Sequence, residues 1–250
     1  QIRCRPVYAM MKLLRANYYH NKIRHYFFTD DNFCRNKNWE AVFDSLIRLR
    51  EEENVRLTFN IQVDAQSYLI PRFVEKAARS GCTQVFIGME SLNEENLKAA
   101  GKNQNLTADF KKLMKTYYDA GIATHLAYII GFPFDSEASV QEDMIRLRDL
   151  EAEQASFFML MPLPGSADYC QALSSGRVMD ADLNNYDSFH ETFCHPRMKS
   201  HAWTRVYENA WRSFYSLENM KRILKKTNPQ KYWSVFLNFV WCNNAIEVEE

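Results

Sequence analysis

The 250-residue chain has few glycines and no closely spaced cysteines. Only seven glycines are present, which argues against a glycine-rich loop that cradles a nucleotide phosphate. The six cysteines lie at positions 4, 34, 82, 170, 194 and 242, and no pair has the two- or three-residue separation of a metal or cluster motif. We therefore interpret them as reduced structural thiols, as is typical of a cytoplasmic protein.

The chain also lacks net charge, because 31 basic side chains balance 31 acidic ones. This balance gives no indication of a nucleic-acid partner, which would need a strongly basic surface. No signal peptide is visible, and the longest apolar run, residues 232–242, is too short for a transmembrane segment. The chain starts at Gln1 rather than Met and stops soon after that run, so we interpret it as a fragment.

Five apolar segments rich in β-forming residues alternate with amphipathic helix patterns. The predicted strand centres lie near residues 27, 60, 87, 127 and 159. This repeat predicts parallel strands joined by right-handed crossovers. The first helix pattern, residues 7–19, has no strand before it, so we expect a sixth strand upstream. The prediction is an α/β fold: a partial (β/α)6 TIM-like barrel over residues 1–166, and a mainly helical C-terminal extension over residues 167–250.

Helix and strand limits follow from periodicity and capping signals. Asn93 or Ser91 is expected to cap the helix after the third strand, and Thr107 to cap a helix that ends at residue 120. Further helices are predicted over residues 39–50, 71–79, 136–153, 168–174 and 202–226. The first strand, residues 25–29, is predicted to be buried.

Polar or turn-forming residues follow all five predicted strands. In parallel β/α folds the active site lies at the carboxyl ends of the strands. Each of these groups alone is explained by a turn or a helix cap, but the set, in register on five strands, indicates one site. Its members are Asp30, Asp31 and Asn32; Gln62 and Asp64; Glu90 and Ser91; Gly131 and Pro133; and Pro162, Pro164 and Gly165.

Four motifs in this order resemble those of the radical S-adenosylmethionine (SAM) enzymes. They are Phe-Phe-Thr-Asp-Asp-Asn-Phe at residues 27–33, Phe-Ile-Gly-Met-Glu-Ser-Leu-Asn at 86–93, Ile-Gly-Phe-Pro at 130–133 and Pro-Leu-Pro-Gly-Ser at 162–166. Lys-Asn-Gln-Asn at 102–105 and His-Pro-Arg-Met at 195–198 strengthen the similarity to the branch that often carries an N-terminal cobalamin-binding domain. The resemblance covers about residues 3–215.

The resemblance implies an enzyme with SAM and a 4Fe-4S cluster as cofactors and cobalamin as a further candidate. In this family three cysteines after the first strand hold the cluster, and its fourth iron chelates SAM. One electron, from a donor such as ferredoxin or flavodoxin, cleaves SAM to a 5′-deoxyadenosyl radical. The implied reaction is methyl transfer or another radical rearrangement on a small molecule or lipid.

The resemblance also assigns positions to the cofactor. Asp30, Asp31 and Asn32 stand where many relatives have Gly-Gly-Glu near the SAM ammonium, and the difference leaves open which Asp accepts from it. Glu90 and Ser91 fall near the ribose or the SAM carboxylate. The adenine-lining positions are Gly131, Phe132, Pro133, Pro162, Pro164 and Gly165, where a bend lets the backbone approach the base. Candidates for the substrate side are Gln62, Asp64, Tyr186 and His190.

The Cys-x-x-x-Cys-x-x-Cys motif of this family is absent from the chain. In relatives it precedes an Arg-x-Arg segment, and here Arg3-Cys4-Arg5 stands at the start, so we expect the cluster ligands upstream of Gln1 and no metal ligand in this chain. The fragment alone is then expected to be inactive. Two alternatives are a cluster-less remnant that binds SAM or a protein partner, and a metal-dependent barrel lyase or hydrolase that uses Asp30, Asp31 and Glu90.

Three histidines, His190, His195 and His201, are loosely clustered in the sequence. Their spacings of five and six residues do not match a helical ligand pair, so we interpret them as exposed loop histidines rather than a metal site.

Overall fold

A computed structural model describes residues 5–106, 109–177, 179–229 and 231–247. Its five strands form one sheet in the consecutive order β1-β2-β3-β4-β5. The strands are parallel, which confirms the predicted α/β class of the partial TIM-like barrel. They are β1 (His25–Phe27), β2 (Thr58–Asp64), β3 (Cys82–Glu90), β4 (Ala123–Ile130) and β5 (Gln154–Met159).

Helices separate successive strands, and the described chain after β5 consists of helices joined by longer irregular segments. Most lie where the periodicity predicts them, and Asn93 caps α4 as expected, accepting from the backbone N–H groups of Glu95 and Asn96. The helices are α1 (Val7–His20), α2 (Trp39–Glu51), α3 (Phe73–Ser80), α4 (Glu94–Ala99), α5 (Asn103–Leu106), α6 (Phe110–Asp119), α7 (Glu137–Arg148), α8 (Ala167–Ser174), α9 (Ala202–Phe214), α10 (Leu217–Leu224) and α11 (Tyr232–Glu247).

Three helix predictions differ from the structure. The helix predicted over residues 136–153 ends at Arg148. The single helix predicted over residues 202–226 is wrong, because Ser216 accepts a hydrogen bond from the Asn219 N–H and starts a separate helix there. Leu217, the first residue of this separate helix, is 64% exposed. The cap of α6 is Asp109, whose side chain accepts from Lys112 N–H, and the predicted cap Thr107 lies outside the described residues.

The predicted burial of the first strand is also wrong. In β1 both His25 and Phe27 are exposed, Phe27 to 54%. The reason is its place in the described sheet, where β1 is an edge strand that pairs with β2 alone. An apolar run of β-formers is therefore not sufficient evidence that a strand is covered on both faces.

The chain divides into two compact units, each described separately below. Unit 1 comprises Gln1–Gly88 and Ala108–His125, and unit 2 comprises Met89–Thr107 and Leu126–Glu250. The boundary expected at residue 166 is a different division and stays a prediction.

Unit 1 is built on an aromatic core between the helices and β2. Phe43 of α2, Phe59 of β2 and Phe73 of α3 are fully buried, with ring centroids 5.3 Å apart between Phe43 and Phe73. Such edge-on and offset ring pairs add stability beyond the area they bury. The Lys76 ammonium of α3 lies 2.5 Å from an Asp44 carboxylate oxygen of α2 and ties the two helices together.

Unit 2 is organised around α9, which packs on α7, β5 and α11. Trp203, Phe214 and Phe157 are fully buried there, and the Tyr215 hydroxyl donates to the Ala155 carbonyl at 2.7 Å. No helix among the described residues is long and apolar enough to cross a membrane.

Candidate functional site

Asp64, at the carboxyl end of β2 in unit 1, is held by three donors. It is 9% exposed, and its carboxylate accepts from Arg35 Nε at 2.6 Å, Asn32 Nδ2 at 3.2 Å and the Gln66 N–H at 2.9 Å. Burial opposes ionisation of this carboxyl, but the hydrogen bonds from Arg35, Asn32 and Gln66 outweigh it and lower the pKa of Asp64. Asp64 therefore carries a charge that Arg35 neutralises within the unit.

The residues after β1 form a small polar network around this pair. Asn36 Nδ2 donates to an Asp30 carboxylate oxygen at 2.7 Å, and the Cys34 thiol lies 2.9 Å from Asn32 Oδ1. Asp31 is exposed. Burial raises the pKa of Cys34 to about 11, which keeps it a protonated structural thiol. Asn32 thus contacts Asp64, whereas Asp30 is bonded to Asn36 and Asp31 faces solvent.

One face of the unit 1 strands is polar and half-exposed. Gln62 and Asn60 of β2 lie on it, with Asn60 Nδ2 donating to Gln84 Oε1 of β3 at 3.1 Å. His125 of β4 packs edge-on against the Phe86 ring of β3 at 4.9 Å, and burial lowers the pKa of His125 to about 4, so this imidazole is neutral at pH 7. Sequence reasoning missed His125, although a single imidazole within a β-forming run was a visible signal.

Glu90, the last residue of β3, lies in unit 2 with a left-handed backbone at φ +67°. This conformation is costly for a residue other than glycine, and the surrounding contacts must stabilise it. Lys102 Nζ lies 2.9 Å from the Glu90 carboxylate, and Asn105 Nδ2 donates to the Met89 carbonyl at 2.7 Å. Two residues of the 102–105 motif therefore hold the end of β3. Ser91 is fully buried, and its hydroxyl accepts from the Asn93 N–H at 3.1 Å.

The segment after β4, residues 131–135, is fixed through its backbone N–H groups. One Asp135 carboxylate oxygen accepts from the N–H groups of Gly131 at 2.8 Å and Phe132 at 3.0 Å. Asn96 of α4 donates to the other oxygen at 2.5 Å and accepts from the Phe134 N–H at 3.0 Å. Burial raises the pKa of Asp135 to about 6 despite these donors. Asp135 and Asn96 went unnoticed in the sequence, because neither stands in a recognised motif position.

The same segment is held through its carbonyls by residues after position 190. His195 Nε2 lies 2.9 Å from the Phe132 carbonyl oxygen, and Trp203 Nε1 donates to the Ile130 carbonyl at 3.1 Å. The interpretation of His195 as an exposed loop residue is therefore wrong, since this ring is half-buried against Trp203. Its Phe132 partner is 63 residues away in the sequence, a contact that no local pattern reveals. Pro133 is exposed.

The end of β5 lines a cavity of about 420 Å³ in unit 2. Met161 and the buried Pro162 form one side of it, and Arg177, whose guanidinium lies 5.1 Å above the Phe193 ring, lines another. Pro164 and Gly165 are exposed. The predicted adenine-lining residues at this strand end are therefore divided between a cavity wall and the surface.

The substrate-side candidates Tyr186 and His190 do not line that cavity. The Tyr186 hydroxyl donates to the Asp180 carbonyl at 3.0 Å, and His190 Nδ1 lies 3.0 Å from an Asp187 carboxylate oxygen. Both side chains are engaged within their own loop, and their role stays a prediction.

The described residues contain no group of three or more His, Cys, Asp and Glu side chains that could hold a metal ion. This part of the chain therefore offers no ready set of ligands for a metal ion or an iron–sulfur cluster.

Comparison with known proteins gives one family. The profile of the Radical SAM superfamily matches residues 5–147. The chain is 27% identical over 220 residues to bacteriochlorophyllide d C-12(1)-methyltransferase of Chlorobaculum tepidum, covering 88% of the chain and 46% of that protein. It is 24% identical to an uncharacterized methyltransferase of Pyrococcus horikoshii, covering 85% of the chain and 45% of that protein. The chain thus spans about half the length of these curated relatives.

Among solved structures, the radical SAM methyltransferase TsrM of Kitasatospora setae, with cobalamin and a [4Fe-4S] cluster bound, superposes with a TM-score of 0.60. The sequence identity is 16%, and the match covers 91% of the chain and 48% of TsrM. At this identity the similarity establishes the fold.

Proposed function

Because the chain belongs to the Radical SAM superfamily, we propose that it is the SAM-binding core of a radical SAM methyltransferase. The observation that carries this proposal is the end of β3, where Glu90 is held at φ +67° beside Lys102 in the motif position that the family uses for its cofactor. The strained backbone of Glu90 and the Lys102 ammonium beside its carboxylate together fix the direction of this side chain. A binding group that is preorganised for its ligand needs a side chain fixed in this way.

The side chains supply complementary chemistry to the parts of SAM. Exposed Asp31, or Asp30 beside Asn36, accepts hydrogen bonds from the ammonium group. Glu90 accepts from the ribose hydroxyls, and the backbone of residues 131–134 with buried Pro162 lines the adenine. Bound SAM would supply the methyl group or the radical that the family's chemistry uses.

The cluster needs ligands that the described residues do not provide. We propose that the family's three-cysteine motif supplies them from another part of the protein. The electron donor, such as ferredoxin or flavodoxin, and the cytoplasmic location are proposed on the family resemblance alone.

Methyl transfer is proposed because several relatives are named methyltransferases, two of them for positions C-12(1) and C-8(2) of bacteriochlorophyllide d. The acceptor class we propose is a small molecule or lipid. Cobalamin is proposed as a further cofactor because the motifs at 102–105 and 195–198 resemble those of the cobalamin-linked branch.

The test uses the full-length protein, expressed and reconstituted without oxygen with iron and sulfide. SAM affinity is measured by equilibrium dialysis, and products after reduction by mass spectrometry. We expect E90Q to weaken SAM binding about tenfold, the loss of one charge-assisted contact, and E94Q, which changes an exposed carboxylate on α4, to leave it unchanged. Absence of SAM binding by the wild type would refute the function, and binding without cleavage would indicate the cluster-less remnant.

A further inference from the structure

Three side chains from residues 195–203 contact backbone carbonyl oxygens at and after the end of β4. Trp203 Nε1 donates to the Ile130 carbonyl at 3.1 Å, and His195 Nε2 lies 2.9 Å from the Phe132 carbonyl. Arg197 Nη1 donates to a third carbonyl, that of residue 134, at 3.1 Å. The carbonyl oxygens of residues 130, 132 and 134 are therefore each in hydrogen-bond contact with a side chain from this segment.

The backbone N–H groups of the same segment are bound by two other side chains. Asp135 accepts from the N–H groups of residues 131 and 132, and Asn96 accepts from that of residue 134. Both side chains are at most 1% exposed. A five-residue loop whose N–H groups are bound by buried side chains, and whose carbonyls are bound by side chains from a second segment, has little freedom to relax. Such rigidity exceeds what is needed to end a strand.

The hydrogen bonds of His195 define its tautomer. Nδ1 accepts from the backbone N–H groups of Arg197 at 3.1 Å and Met198 at 2.9 Å, so it carries no proton. Nε2 must therefore carry the proton, and it donates to the Phe132 carbonyl. The imidazole is neutral and aims a single N–H group at one backbone oxygen.

Trp203 explains the glycine of the Ile-Gly-Phe-Pro motif. A Cβ atom at Gly131 would lie 2.1 Å from Trp203 Cζ2, and Gly131 has φ +110°, a conformation that side chains rarely adopt. The glycine was expected to allow the backbone to approach a base. In the structure it allows the backbone to approach the fully buried indole of Trp203.

We propose that His195, Arg197 and Trp203 are positioning residues that hold the backbone of residues 131–134 in the orientation that binds SAM, without touching SAM themselves. This inference rests on the proposed function of the same loop. It assigns the His-Pro-Arg-Met motif a task that composition and spacing do not reveal, namely control of cofactor affinity from 63 residues away.

Two substitutions at His195 separate positioning from general stability. In H195Q the side-chain amide N–H stands close to the position of Nε2 and can still donate to the Phe132 carbonyl, whereas the acceptor for the two backbone N–H groups is lost. In H195N the side-chain oxygen stands close to the position of Nδ1, so the acceptor is kept and the donor is lost. Each variant removes one half of the same hydrogen-bond set.

The experiment measures SAM affinity and hydrogen exchange of the 131–134 peptide in the reconstituted full-length protein. We expect H195N to weaken SAM binding at least about fivefold, the value of one lost hydrogen bond, and to speed exchange of this peptide. H195Q is expected to stay within about twofold on both readouts. The control is H201N, since His201 is exposed, makes no capping bond and has φ +63°, which Asn tolerates.

The outcomes separate the two proposals. Wild-type binding of SAM combined with unchanged affinity and exchange in H195N would overturn the positioning role alone. Equal losses in H195N and H195Q would also overturn it, because they would indicate general destabilisation rather than loss of the Phe132 bond. Failure of the wild type to bind SAM would refute the proposed function and, with it, this inference.

Discussion

The two groups of strand-end residues are held by different means. In unit 1 the ends of β1 and β2 are connected by side chain to side chain bonds, as between Arg35 and Asp64, 29 residues apart. In unit 2 the segment after β4 is held by side chains that bind its backbone, as Trp203 does from 73 residues away. The contacts in unit 1 therefore fix the positions of charged side chains, whereas those in unit 2 fix the conformation of the backbone.

This difference has a consequence for substitutions. A charged side chain at a half-exposed position can be replaced at modest cost, because water takes over part of its solvation. A backbone group that depends on a buried partner has no such replacement. The unit 2 segment should therefore be the more sensitive of the two regions, and the following predictions test this from the largest effect to the smallest.

The largest effect is expected for G131A. The added Cβ collides with Trp203, and the positive φ adds strain, which together should cost about 2–5 kcal/mol of unfolding free energy. Gly165 has φ +84° but no atom within 4 Å of the added Cβ, so G165A isolates the strain at about 1–2 kcal/mol. Urea denaturation of the full-length protein measures both, and equal costs would contradict the role of Trp203.

Asp135 should make stability depend on pH. Burial raises the pKa of this carboxyl to about 6, above its unfolded value, so its contribution is fully present below pH about 4 and is lost as the pH rises through about 6. D135N cannot titrate at this position. Relative to D135N, the wild type should therefore lose up to about 3 kcal/mol between pH about 4 and about 7. Parallel pH curves in denaturant titrations would exclude this carboxyl as the source.

A smaller loss of unfolding free energy is expected for R35M in unit 1. Asp64 would keep two donors but lose its cation, and because Arg35 is 54% exposed the cost should be about 1–2 kcal/mol rather than that of a fully buried pair. R15M breaks an ion pair with Glu53 whose partners are both more than one-third exposed, and should cost less than about 1 kcal/mol. If R35M cost more than G131A in the same denaturation assay, the contrast between the two regions would fail.

The smallest effect is expected for K102M. Its pair with Glu90 is partly exposed, at 40% and 19%, so the stability change should stay below about 1 kcal/mol. K98M, which breaks the exposed pair with Glu94 on α4, should cost about 0.3–0.5 kcal/mol. A loss of several kcal/mol in K102M would mean that charge, rather than backbone contacts, maintains the end of β3.

The sequence was sufficient for the elements that depend on local periodicity. The strand centre predicted near residue 127 lies within β4, which runs from Ala123 to Ile130, and Asn93, one of the two predicted caps, caps α4. The contact between Asn32 and Asp64 also follows, because parallel strands end at one edge.

What the sequence did not reveal depends on long-range contacts. His195 resembles any loop histidine until its bond to the Phe132 carbonyl is seen, and no sequence motif singles out Asp135, whose two backbone donors appear only in the structure. The exposure of β1 was missed for a similar reason, since burial is decided by which elements cover a strand and not by its own residues. The predicted SAM contacts of the strand ends stay predictions.

The central claim is that this chain binds SAM at the ends of its strands, and hydrogen exchange of the reconstituted full-length protein with and without SAM tests it most directly. We predict that SAM slows exchange in the peptides around residues 30–32, 89–91 and 131–134, while peptides of α2 are unchanged. Unchanged exchange in all three peptides at saturating SAM, or protection confined to other regions, would contradict it.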